Sequence, residues 1–327
     1  MSIELATHPT DTMRFVLSGP TMGTRWSAVF HAAATIDARR IEAALQATVG
    51  QVDDEMSTYK SNSAISRFNT APVGEWVEMP DLTMRVITAG LEIGRLSGGM
   101  FDIGLGRAVA HWGFGADADA VGDEGAAPGS SAAEALHLHS DGSQIMRSAD
   151  IRLDLSAIAK GFGVDCLADL LESFGVTRYL VGIDGEMRAG QEKPDGSGWL
   201  VGIEAPDVET RGLARTIELC DAAIATSGDY RHRRQVGART ISHTLDPRSG
   251  APLANAPASV TVIAPDAMQA DAWATALGVM GTGKGLKFAE AHALSALFMF
   301  RHDSGLSAVG TGLFALDFRG CEGVPGT

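Results

Sequence analysis

Apolar and polar positions alternate through residues 13–31, MRFVLSGPTMGTRWSAVFH, on both sides of a glycine-containing turn, a pattern that predicts two strands. Helical spacing then takes over. Ile41, Leu45, Val49 and Val52 share one face of a predicted helix over 37–56, and Leu82, Val86, Ile87, Leu91, Ile93 and Leu96 predict a second over 80–97. Periodicity lapses in 116–135, rich in Ala, Gly, Asp and Ser, which reads as a flexible surface loop or insertion. Residues 137–153 read as a short hairpin. The stretch IRLDLSAIAKGFGVDCLADLLESFG predicts a strand ending at Asp154 and Leu155, then a helix running toward Phe174 and stopped by Gly175. TRYLVGIDGEMRAG and GWLVGIEAP read as two strands joined by the turn-rich QEKPDGSG. Residues 258–264 predict a strand. DAMQADAWATALGVMG, with its Asp start and Gly stop, predicts a helix. A further helix over 284–293 and strands at 295–300 and 313–318 complete the pattern. With no internal repeat and no regular βαβ rhythm, the expected class is α+β: a mixed or antiparallel β core with surrounding helices. We expect one domain over 1–327, or two interlocked subdomains.

Composition narrows the function. The 327 residues are 45% hydrophobic and 20% charged, ordinary for a globular protein. A net charge of −14 argues against a nucleic-acid partner, so an anionic ligand requires a local device: a metal, a few basic groups or a helix N-terminus. Cys166, Cys220 and Cys321 lie far apart, with no metal-ligand spacing. No apolar run is long enough for a membrane span, and the N-terminal stretch has no basic region leading into one. The expectation is a cytoplasmic protein, or an exported one if the sequence lacks its native N-terminus.

Several segments hold residue types suited to chemistry. Asp271 and Thr275 stand one helical turn apart, a carboxylate and a hydroxyl on one face, which suits a hard cation or simply a polar helix face. Asp154 and Lys160 flank a strand-to-helix turn that lacks Walker spacing and fits either an anion site or a plain cap. In MSTYKSNSAISRFN, Tyr59 could stack on a flat ring. GGMFDIG brings glycines next to an aromatic and an acid. Finally, SGDYRHRRQVGARTISHTLDPRSG gathers five arginines and two histidines in an acidic chain, and His243 within it is the group best suited to proton traffic near neutral pH.

The order of these segments carries more than any one of them. GPTMGT, MSTYKSNSAISRFN, GGMFDIG…WGFG, LDLSAIAKGFGVD, YLVGIDGEMRAGQEKPDGSGWLVGIEAP, ATSGDY, SHTLDPRSG and SVTVIAPDAMQADAWATALGVMG follow one another as in the ApbE family, FAD:protein FMN transferases, which the chain resembles over roughly residues 19 to 300. The resemblance implies FAD as substrate with Mg²⁺ (or Mn²⁺) on its diphosphate. It further implies attack by a threonine or serine hydroxyl of an acceptor flavoprotein on the FMN-side phosphorus, and release of AMP. The alternatives are an FAD pyrophosphatase giving FMN and AMP, or a non-catalytic FAD-binding protein. The resemblance also implies metal ligands Asp271, Thr275 and the backbone oxygen of Ala157, with His243 and Asp271 in catalysis. It gives FAD contacts to Met22, Tyr59, Met100, Phe101, Asp102, Asp154, Lys160, Thr244 and Leu245, with Ser242 in the same stretch. Ile103 departs from the proline common after FD in the family, and the arginines before Ser242 have no counterpart in its pattern.

Overall fold

A computed structural model describes residues 12–116, 129–206, 212–229, 233–236, 239–254, 256–302 and 305–315, with only the backbone of 233–236 and 239–240. The predicted loop therefore lies mostly outside the described residues. The α+β expectation holds. Eight strands form one sheet in the order of the chain: Thr12–Thr21, Thr24–Ala33, Arg178–Ile183, Glu186–Ala189, Ala222–Gly228, Ser259–Ala264, Ser295–His302 and Gly305–Gly310. Every neighbouring pair is antiparallel. The first two strands reverse at Met22–Gly23, both in the left-handed region (φ 46° and 72°) that tight hairpin turns require. The third and fourth reverse at Asp184–Gly185, with Asp184 at φ 59°.

Among the described residues the helices are α1 (Ala38–Met56), α2 (Ala64–Thr70), α3 (Asp81–Leu96), α4 (Gly106–His111), α5 (Ala132–Ala135), α6 (Ala159–Ser173) and α7 (Ala267–Ala291). Side-chain caps start four of them: Asp37 accepts from the Arg40 amide at 3.1 Å, Ser63 from Ser66 at 3.0 Å, Ser131 from Glu134 at 3.3 Å and Asp266 from Gln269 at 2.8 Å. One sheet face packs Trp26, Phe30, Tyr179 and Ile183 against Ile41, Leu45 and Val49 of α1 and Val164, Leu167 and Leu171 of α6. On the other face, Ile224, Leu297 and Met299 meet Trp199, Val201 and Ile203 of a separate hairpin, Trp199–Glu204 with Leu213–Leu219. Ser259–Ala264 is buried at every position, so its apolar run does not alternate. No helix among the described residues is long and apolar enough to cross a membrane.

Several expected elements differ. Residues 151–155 are extended but form no strand; a single bridge joins Leu105 and Arg152. Asn69 supplies what a partner strand would, donating from its side chain to the Leu153 carbonyl at 2.9 Å and accepting from the Leu153 amide at 2.7 Å. TRYLVGIDGEMRAG is two strands rather than one, because its Asp-Gly pair makes the tight turn. GWLVGIEAP leaves the sheet for the separate hairpin, and the strands at 213–219 and 222–228 were not expected. The glycine stop expected in the next helix is present: Gly281, at φ 69° and ψ 173°, leaves helical geometry, so α7 is two helical segments that meet at a kink there. The strand expected at 313–318 is replaced by a 3-10 turn, Gly312–Phe314, preceded by the strand Gly305–Gly310; residues 316–318 lie outside the described residues.

Helices α6 and α7 cross with their first turns in contact. A Cβ on Gly161 would stand 2.2 Å from the Ala267 carbonyl oxygen, so only glycine allows this approach. Each helix also satisfies the other's unpaired amides. Asp271 Oδ2 accepts from the Gly161 amide at 3.0 Å, while Asp165 accepts from Ala267 at 2.9 Å and Met268 at 2.8 Å. Gly161→Ala is expected to lower stability by about 3 kcal/mol, the upper end for overpacking, because the obstacle is backbone. Thermal unfolding checks this: an unchanged midpoint would contradict the crossing as described.

Candidate active site

A cavity of about 840 Å³ opens at the end of the sheet that carries the Met22–Gly23 and Asp184–Gly185 turns. Its floor comes from the start of α6, the fourth strand and α7. Lys160 donates from Nζ to Glu186 Oε1 at 2.8 Å and stands 3.8 Å from Asp184 Oδ2. Asp271 is nearly buried, at 6% exposure, and lines the same floor with Thr275. Burial lowers the affinity of the Lys160 ammonium for its proton, but the carboxylates of Glu186, Asp271 and Asp184 outweigh this and raise its pKa. For Asp271, burial first and then the negative Glu186 push the pKa up to about 7, against the pull of Lys160 and the Gly161 amide. An ammonium already paired with Glu186, among three carboxylates, makes a poor site for a bare diphosphate.

One wall is the turn after Leu153. Asp154 Oδ1 accepts from the Ser156 amide at 2.8 Å and from the Ser156 hydroxyl, closing a local loop ahead of Ala157. The loop is held from outside by Asn69 on Leu153 and by the Asp154 amide donating to the Ile103 carbonyl at 2.8 Å. Beside it, Asp102 Oδ1 accepts from the Gly104 amide at 2.7 Å and the Ala132 amide at 3.1 Å. Burial pushes the Asp102 pKa up despite these bonds.

The rim joins three distant segments. Tyr59, 71% exposed, donates from its hydroxyl to the Phe114 carbonyl at 3.2 Å, and the Phe114 ring meets His243 edge-on at a centroid distance of 6.3 Å. Behind them Trp112 donates to the Gly250 carbonyl at 2.7 Å, and Leu245 is buried among Ala108, Trp112 and Ile241. This packing fixes the 243–245 segment against α4.

The structure thus brings Met22, Tyr59, Met100, Phe101 and Asp102 to one cavity with Asp154, Ala157, Lys160, His243, Thr244, Leu245, Asp271 and Thr275. Ser242 does not line it; its hydroxyl accepts from the Thr244 amide at 3.2 Å. Sequence reasoning missed Asp184 and Glu186. The signal was present in GIDGEMR, because an Asp-Gly pair between apolar runs marks a hairpin whose ends carry the flanking acids. Asn69 gave no such signal.

The expected metal donors are a carboxylate, a hydroxyl and a carbonyl, all hard oxygens. Among the described residues no cluster of three or more His, Cys, Asp or Glu side chains would hold a metal, and the expected set contains just one such side chain. The buried, charge-crowded Asp271 fits a hard cation, because added positive charge relieves both its burial and its repulsion from Glu186.

A meander backed by helices on one face, with a ligand-sized cavity at one end of the sheet, defines an α+β fold with a candidate active site. The chain belongs to the ApbE family, whose model matches residues 22–298. It is 36% identical to the FAD:protein FMN transferase of Vibrio cholerae over 91% of both chains, and 33% identical to that of Escherichia coli K12 over 85% of this chain and 81% of the relative. Its fold matches the solved flavin transferase ApbE of Vibrio cholerae with a TM-score of 0.82 at 34% identity, covering 93% of this chain and 98% of that one. The Thermotoga maritima ApbE protein matches with a TM-score of 0.83 at 26% identity, covering 93% and 100%.

Asn69→Ala is expected to lower stability by about 2 kcal/mol, since both backbone groups of Leu153 lose their partner. Thermal unfolding of the ligand-free protein measures this, and a loss below ~0.5 kcal/mol would mean that Asn69 does not hold the turn.

Proposed function

We propose that this protein is an FAD:protein FMN transferase that works with Mg²⁺, or Mn²⁺ in its place. The acceptor is a threonine or serine hydroxyl on a partner flavoprotein. Its oxygen forms the new bond to the FMN-side phosphorus, the bond from that phosphorus to the AMP oxygen breaks, and the hydroxyl proton passes to a base on the protein. Carrying the reading is the gathering of Asp271, Thr275, Ala157 and Lys160 on one cavity, in a chain whose relatives are named for this transfer.

Phosphoryl transfer requires mainly positioning and charge neutralisation. Asp271, Thr275 and the Ala157 carbonyl are the proposed holders of the cation, whose chemistry when bound is neutralisation of charge on the diphosphate. Lys160 adds a positive charge from the floor. His243 is the proposed acceptor of the hydroxyl proton, since it lies on the cavity wall and imidazole changes protonation near neutral pH. Tyr59 at the rim presents an aromatic face to the flavin ring, and the apolar Val201, Ile203 and Ile224 give it a wall. The cavity volume suits a ligand larger than riboflavin alone.

Three measurements test the reading. Fluorescence titration is expected to give tighter binding of FAD than of riboflavin, and equal affinities would refute the pocket assignment. Asp271→Asn keeps the size of the side chain and an acceptor for the Gly161 amide while removing the charge. It is expected to lower transfer on the order of 10²–10³-fold with an unchanged circular dichroism spectrum; Thr275→Val, which removes a neutral oxygen, is expected to cost less. Incubation with FAD, Mg²⁺ and an acceptor domain is expected to add the mass of FMN less water, with AMP released in equal amount, and replacing the acceptor threonine by alanine to stop the labelling. Rapid release of free FMN and AMP that no acceptor suppresses would make the protein a pyrophosphatase instead.

A further inference from the structure

Glu186 is the most enclosed charged group at the cavity, at 3% exposure. It opens the fourth strand directly after the Asp184–Gly185 turn, so its backbone is fixed by the sheet. Both carboxylate oxygens are used. Oε1 accepts from Lys160 Nζ at 2.8 Å, and Oε2 accepts from the Gly185 amide at 3.2 Å. Lys160 is the second residue of α6, and its ammonium sits on a flexible four-carbon stem. Its side chain remains 29% exposed while that of Glu186 is 4% exposed, so the pair presents its cationic member to the cavity and hides its anionic one.

We propose that Glu186 is a positioning residue that tethers the Lys160 ammonium at the cavity floor, so that it meets the diphosphate of FAD in one fixed place. The inference rests on the flavin-transferase reading and adds a residue and a role to it. A second carboxylate in a diphosphate site is otherwise unfavourable, because it repels the ligand. Holding Lys160 offsets that repulsion: a lysine held by a rigid carboxylate loses its rotamer entropy on folding rather than on binding. The tether also sets where the ammonium stands relative to Asp271, with which it shares the floor. Asp184, at 3.8 Å, and Asp271 are the other carboxylates facing the ammonium; of the three, Glu186 makes the hydrogen bond.

The two possible roles of Glu186 predict opposite signs. If it is merely a background negative charge, Glu186→Gln relieves repulsion and tightens FAD. If it positions Lys160, the same change loosens FAD, by about tenfold for one charge-assisted hydrogen bond. Fluorescence titration of FAD into the protein, with saturating Mg²⁺ and without acceptor, reads this directly. The expected result is about tenfold weaker binding in Glu186→Gln, and no weakening by that change in a Lys160→Met background, where repulsion alone remains. Binding as tight as or tighter than wild type in Glu186→Gln overturns the proposal, as does equal weakening in both backgrounds. Should Glu186→Gln lack the native circular dichroism spectrum, Glu186→Asp takes its place, with an expected loss of about threefold in the wild-type background and none with Lys160→Met; no loss in the first or an equal loss in both is again fatal. A wild-type protein that binds FAD no better than riboflavin refutes the flavin reading itself, and the tether falls with it, a result told apart by needing no variant.

Discussion

Two helices that begin at the same place, each lending a carboxylate to the other's first amides, organise this protein. Gly161 lets α6 and α7 approach to backbone contact, Asp271 of α7 takes the Gly161 amide, and Asp165 of α6 takes those of Ala267 and Met268. The first turn of a helix has amides without internal partners, and a buried helix start must find acceptors for them. Here the acceptors are carboxylates whose pKa values burial raises, and a carboxylate that ionises there needs compensation. Arg188 supplies it for Asp165 at 3.0 Å. The crossing fixes Asp271 beside the cavity, and it brings Lys160, next in sequence to Gly161, to the same floor.

The sheet places the rest. In an antiparallel meander alternate turns fall at the same end, so Met22–Gly23 and Asp184–Gly185 come together although they are far apart in sequence. The fifth strand ends there as well, and its residues Thr226, Ser227 and Gly228 line the cavity. Met22 and Asp184 hold left-handed backbone without being glycine. Such residues persist where the surrounding structure dictates the turn, and they gather at functional sites. The helix-rich part then closes the cavity from the side: Asn69 and Ile103 hold the 154–157 turn, and the packing of Trp112 and Leu245 holds the segment of His243.

Charge explains why an acidic protein can serve an anionic substrate. The net charge of −14 is not masked at the floor, where Asp184, Glu186 and Asp271 surround a single lysine. Three carboxylates around one ammonium repel a bare phosphate, and under the proposed reading a divalent cation offsets that repulsion. Under that reading the arrangement also limits what binds: an anion arriving without the metal meets repulsion.

Much of this was legible in the chain before folding. The helical spacing of α1 and α3, the first hairpin, and the Asp start of α7 follow from local periodicity and capping, and the structure has them. The residues expected at the site, Ser242 apart, line one cavity. What the chain could not reveal were partnerships between distant groups. Glu186 and Lys160 are 26 positions apart, Asn69 and Leu153 are 84 apart, and Gly161 and Asp271 are 110 apart. The same limit explains the misread elements: 151–155 looked like a strand because its alternation was real, yet its backbone bonds are divided between the Asn69 side chain and the 103–106 segment; 199–204 was read as a strand joined by a turn to TRYLVGIDGEMRAG, yet it paired with 213–219. Local sequence sets which backbone geometry and which face a residue prefers, since those depend on near neighbours. Only the packed chain decides which donor meets which acceptor, because a buried polar group takes whatever partner the tertiary fold brings within reach.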